Sequence, residues 1–305
     1  VADAVYPESP VIHSELVNRN DISSSASKAQ KDLLHRMLSH ADQENLGYTA
    51  YPADAGLYFT VLQGCKLHRK VKGNWQFCDP LNSTESNNIV PAWTKAKEQI
   101  FQENAIVSLA DLYTLWTDPP YGIKNGLLPI FALAFFLSHR HQLALYIENT
   151  FTPELTEAYF DEWLQDPSRV TWRFVKIEGS EKKMLELLSL ALSKRLNKPV
   201  SADALDSARS LVALVFQLPS WTRRTDSIST MAKDVRRLLL HASDPHKVLF
   251  TDLPLVIGSR NARELAEKIA EIANLSIKDE GSFINDALGK ILGLDTYETL
   301  IEDIE

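Results

Sequence analysis

Between Lys66 and Lys72, five side chains that carry or can acquire positive charge fall within seven positions: Lys66, His68, Arg69, Lys70 and Lys72. Repeated cations on an extended segment are suited to phosphate oxygens, because they track a polyanion's backbone without reading its bases. Leu67 and Val71 lie among them and are expected to pin the segment to a core. Trp75 is expected either to fill that core or to stack on a base. The competing reading of the run is a solvated hairpin face. A second cluster comprises Arg223, Arg224, Lys233, Arg236 and Arg237. The last three sit at i, i+3 and i+4, so on a helix they share a face. Guanidinium groups grip carboxylates and phosphates in bidentate fashion. The acidic end of this chain competes for them, so this cluster is read first as partner-binding, within the chain or between subunits, and second as nucleic-acid-binding.

Reaction chemistry is harder to find. His139-Arg140-His141 would put two imidazoles on one side of a strand, as a metal site requires, but no third ligand is near in sequence, and solvated loop histidines are expected. Glu178-Gly-Ser-Glu181-Lys182-Lys183 resembles part of a nuclease site without the aspartate that should precede it. Asp118-Pro-Pro-Tyr-Gly-Ile-Lys-Asn-Gly126 reads as a buried corner between helices; the alternative is a loop presenting Tyr121 and Lys124 to a ligand. There is no phosphate-binding Gly-x-x-x-x-Gly-Lys-Ser/Thr loop, no His-Glu-x-x-His and no Gly-x-Ser-x-Gly. No catalytic residue, metal or cofactor is expected. Cys65 and Cys78 are expected to be free thiols.

The elements that must carry these groups follow from periodicity and breakers. Hydrophobic residues make up 45% of 305 positions and glycine numbers only 11, which favours packed helices. Apolar spacing predicts helices over 26–41, 52–64, 91–104, 108–117, 126–138 and 155–164. Two hairpins are predicted, one turning at Gly73-Asn74 and one at Glu148-Asn149, with a strand from Val170. Further helices are predicted over 181–196, 201–217, 227–242, 261–274 and 281–303, with breaks at Pro199, Pro219, Asp244-Pro245 and Pro254. Helices followed by a hairpin occur twice, the order of a winged-helix unit. The expected fold is therefore mainly α with small β-hairpins: tandem winged-helix-like units over 1–90, with an N-terminal extension, and 91–180, then an all-helical domain over 181–305. Residues 261–305 hold eleven acidic and four basic side chains, a net of −7 that leaves −1 for residues 1–260. That balance excludes a uniformly basic coat but not a local phosphate-binding face. The longest apolar run, Gly126 to Leu137, is interrupted by Pro129 and too short to span a bilayer, so no membrane partner is expected. Low cysteine use and the lack of a signal-peptide pattern point to the cytoplasm. Val1 is not a methionine, so the chain is expected to start inside a longer sequence.

Four stretches resemble the C-terminal region of large bacterial P-loop ATPases from phage-defence islands, of the BREX or DNA-phosphorothioation-linked kind. They are Ser14-Glu-Leu-Val-Asn-Arg-Asn-Asp21 with Ser23-Ser-Ser-Ala26, Asp118-Pro-Pro-Tyr-Gly-Ile123, Ala144 to Thr156, and Lys247-Val-Leu-Phe-Thr-Asp-Leu-Pro254. None of these is a catalytic signature. The resemblance implies an ATPase module before Val1 or on a partner, and other defence-system subunits as partners. The expected function is a non-catalytic, DNA-binding and coupling region of such a complex. The alternative is a protein-interaction or homo-oligomerisation scaffold that does not touch nucleic acid.

Overall fold

The computed structural model describes residues 2–268 except 82–87, 103–104, 153–154, 156, 176–178, 218–222, 227–228, 243, 260, 262–263 and 266. The chain divides into two compact units, Val1–Lys176 and Ile177–Glu305. It is mainly helical, with small antiparallel sheets.

In the first unit a short helix α1 (Ala2–Val5) precedes an irregular strap with turns and bends over residues 6–22. Helix α2 (Ser24–Ser39) starts where the Ser23 hydroxyl accepts the Ala26 N–H at 3.3 Å, and it buries Leu33, Leu34 and Met37. A left-handed turn follows, with φ of 49° at Asn45, 50° at Leu46 and 71° at Gly47. Leu46 keeps this costly backbone because its side chain is buried and Arg36 Nη1 donates to its carbonyl at 2.9 Å. Helix α3 (Ala53–Leu57) continues into a π-helix (Tyr58–Gln63). Strands β1 (His68–Val71) and β2 (Asn74–Phe77) then form a separate two-stranded sheet.

Helix α4 (Val90–Ile100), strand β3 (Ile106–Ser108), helices α5 (Leu109–Thr117) and α6 (Leu128–Ser138), and strand β4 (Leu143–Ile147) come next. Strand β5 (Thr150–Phe151), helix α7 (Glu157–Gln165) and strand β6 (Val170–Phe174) complete the unit. The sheet runs β3-β6-β4-β5, with β6 antiparallel to both neighbours: Val107 opposes Trp172, and Leu145 opposes Trp172 from the other side. No strand was expected at Ile106–Ser108, and Ser108 was expected to open a helix. The segment is too short to show an alternation of its own and becomes a strand by pairing with β6. Helix α6 is apolar around its whole circumference, and Leu128, Ile130 and Phe131 to Phe136 are all buried. It packs on α2, β2 and α5.

Glycines at the corner before α6 let the strap approach. The Gly126 N–H donates to Arg19 O at 2.9 Å, and Gln30 Nε2 donates to Gly126 O at 2.7 Å. A Cβ on Gly126 would lie 2.3 Å from Val17 O, and one on Gly122, where φ is +61°, would lie 2.6 Å from the Tyr6 ring. One apolar cluster runs from Ile12 to Trp172. Buried residues on both sides of position 90 belong to it.

The second unit is helical throughout its described part: α8 (Gly179–Leu196), α9 (Ala204–Gln217), α10 (Thr230–Leu240) and α11 (Pro245–Lys247). A second π-helix (Val248–Asp252) leads into α12 (Leu253–Ile257). Leu185, Leu188, Leu205, Leu211, Val235, Leu249 and Leu253 are buried. Pro254, expected as a break, lies in the first turn of α12, where a missing N–H costs nothing. The helices predicted over 261–274 and 281–303 lie largely or wholly outside the described residues.

Candidate nucleic-acid interface

The first hairpin turns at Lys72-Gly73, with φ of 50° and 93°, and Val71 pairs with Asn74. The expected turn was one residue later. Placing glycine second suits a type I′ turn, because the second central position takes the larger positive φ, and it leaves Lys72 at the tip. His68, Lys70, Trp75 and Phe77 share one face of the ribbon, since His68 opposes Phe77 and Lys70 opposes Trp75.

The five cations of this run separate by role. His68 is only 2% exposed, so it does not belong to a phosphate-facing surface as expected. Its Nε2 donates to Ala41 O at 2.9 Å, and its Nδ1 lies 3.0 Å from Tyr58 Oη, so the neutral ring satisfies both bonds. Burial lowers its pKa against a smaller opposing effect of the Ala41 bond. Burial also pushes the Tyr58 hydroxyl up to about 12, with help from the Glu44 charge. Arg69 Nη1 donates to the carbonyls of Lys66 and, at 2.8 Å, Asp79. It ties the base of the hairpin together and is half-buried. Lys66 is half-buried too, in a left-handed conformation, whereas Lys70 and Lys72 are exposed.

Asp79, just beyond β2, is a junction that sequence reasoning missed. Its carboxylate accepts Trp93 Nε1 at 2.9 Å and Lys97 Nζ at 2.5 Å, both from α4, and His139 Nε2 at 2.9 Å from the end of α6. Burial alone would raise its pKa, but the bonds from His139, Lys97 and Trp93 outweigh that and hold it well below the usual carboxylate range. His139 was expected in a solvated loop. It is 7% exposed and sits against Phe135 and Phe101, while its neighbours Arg140 and His141 are exposed. The three partners of Asp79 come from positions far apart in sequence, so no local pattern marks them.

At the corner, Tyr121 is buried and Lys124 exposed, so the tyrosine is not presented to a ligand. Cys65 and Cys78 are free thiols, and burial pushes Cys65 up to about 12. In the second unit, Arg236 Nη1 donates to Thr225 O at 2.7 Å, and Arg237 approaches Asp234 at 3.5 Å. Arg224 and Arg237 are exposed, whereas Arg223, Lys233 and Arg236 are half-buried. Of the nuclease-like motif, Glu178 lies outside the described residues and Glu181 lies 3.2 Å from His246. No group of three His, Cys, Asp or Glu side chains able to hold a metal occurs among the described residues, and no described helix is long and apolar enough to cross a membrane.

Residues 1–176 carry fifteen basic and twenty acidic side chains, a net of −5. Residues 177–260 carry thirteen and nine, a net of +4. The first unit is thus acidic on balance, and its exposed hairpin lysines are a local positive feature on it. No family model, curated protein or solved structure matches the chain.

Proposed function

We propose that this chain is a non-catalytic binding and coupling region in which a winged-helix-like body carries a phosphate-contacting hairpin. The order α4, β3, α5, α6, β4, then β5 and α7 before β6, with β6 between β3 and β4 in the sheet, supports reading residues 91–180 as one such unit. Residues 1–90 supply a second, reduced one, whose hairpin stands as a sheet of its own. In a helix-turn-helix relative the recognition helix enters the major groove. Here α6 holds that position in chain order and is buried all round, so bases are not read through it. The observation that carries the phosphate reading is the exposure of Lys70 and Lys72 at a type I′ tip whose base is fixed by His68 and Arg69. Binding through these few cations is weak, indifferent to sequence and steeply weakened by salt. With two or three phosphates neutralised, log K against log salt has a slope of about −2 to −3. A duplex titration at low ionic strength tests this: Lys70→Ala with Lys72→Ala reduces affinity and flattens the slope by about 2. A flat titration of the unaltered protein removes the reading. The coupled ATPase and the other defence-system subunits rest on the resemblance of the four stretches quoted above.

A second reading is favoured by the net charge of −5 on residues 1–176. A body of that sign repels a polyanion over a Debye length of about 8 Å at physiological salt, and suits a protein-docking scaffold better. Arg224 and Arg237 on the second unit would then meet partner carboxylates. If this reading holds, charge reversal at both, Arg224→Glu with Arg237→Glu, abolishes recovery of a partner, and the unaltered protein binds no DNA.

A further inference from the structure

We infer that the first hairpin takes an unpaired nucleobase on Trp75, so that its preferred polyanion is single-stranded. This rests on the phosphate-contact reading and adds the kind of strand. Trp75 lies across from Lys70 on the face where the hairpin passes from buried to exposed. One side of its indole rests on His68, with ring centroids 5.4 Å apart and planes 29° apart. His68 is held in place by Ala41 and Tyr58, and its other neighbours are Phe77 at 4.8 Å and Tyr58 at 5.7 Å. The indole is thus the least buried ring of an aromatic cluster anchored through His68, itself half-buried, with Lys70 across from it and Lys72 at the tip. Trp93, Trp116, Trp163 and Trp172 are all buried, so Trp75 alone among the described tryptophans is accessible to a ligand. Aromatic platforms beside cations bind single strands because every base offers a π-face, whereas the bases of a duplex are already stacked on each other.

The full chain is titrated at low salt with a thymidine oligonucleotide and with a duplex of equal length, following tryptophan fluorescence and mobility. The single strand is expected to bind at least several-fold tighter and to quench fluorescence. Trp75→Leu is expected to weaken single-strand binding roughly 5- to 100-fold and abolish the quench, with duplex binding unchanged. Trp75→Phe, which keeps a ring, restores most of the single-strand preference and separates stacking from a disturbed hairpin. Equal affinity for the two nucleic acids, or a preference that survives Trp75→Leu, overturns the inference while leaving the phosphate reading standing if Lys70→Ala with Lys72→Ala still weakens binding. Failure to bind either nucleic acid overturns both.

Discussion

Asp79 links three elements with a single carboxylate, and the cost of losing it follows from what it leaves behind. In Asp79→Ala, the donors on Trp93, Lys97 and His139 lose a shared acceptor, and the buried imidazole is the hardest of these to resolvate. Destabilisation of roughly 1–3 kcal/mol is expected in denaturant unfolding, with Asp79→Asn retaining part of it. Its folded pKa lies below the unfolded one, so the stability it contributes is present above the unfolded value and lost as pH falls through the folded one. His68 titrates in a different window. Its folded pKa lies below 6.5, so the unfolded chain binds the extra proton first. Stability present above about pH 6.5 is therefore lost progressively on acidification. Thermal unfolding between pH 7.5 and 5 should show this decline, and His68→Gln should flatten it. An unchanged slope in His68→Gln would assign the decline to another group.

At the scale of elements, the strap over residues 6–22 and the corner before α6 fit each other through missing side chains. Gly126→Ala drives a methyl against Val17 O and is expected to cost roughly 1–3 kcal/mol, read as a lower unfolding midpoint. Gly56→Ala, on α3 with open space at its Cβ, should be neutral or stabilising. Amphipathic helices were legible because they repeat apolar residues every three or four positions: α2 and α9 begin within about three residues of their expected starts, whereas the short α1, α11 and α12 were not expected. The Glu148-Asn149 turn was legible from its residue types, and both residues have positive φ. The hairpin at Lys72-Gly73 was displaced by one position because Gly73-Asn74 is also a permissible pair. Strand β3 was missed because three residues carry no period; only β6, sixty-odd positions later, makes them a strand.

At the scale of the whole molecule, the apolar cluster from Ile12 to Trp172 predicts that residues 1–90 and 91–176 do not unfold separately. A fragment ending at Lys176 should lose helical circular dichroism and buried-tryptophan emission in one coincident transition; two resolved transitions would place a boundary near residue 90 after all. The sequence repeat suggested two cores because it shows local order, whereas which faces meet depends on α6 being apolar on every side. Among the candidate site residues, charge was legible and accessibility was not: His68 and Arg69 face inward because of Tyr58, Ala41 and Asp79, which no spacing reveals. The strap also sets an order of events during synthesis. Gln30 waits for a partner 96 positions downstream, and Asn20 for one 105 downstream. At translation speeds of about 5–20 residues per second, Ile12 and Val17 stay uncovered on the ribosome for about 5–20 s. Until the corner emerges, the apolar side chains of the strap lack the surface that buries them in the folded protein, so the first unit closes late in its own synthesis.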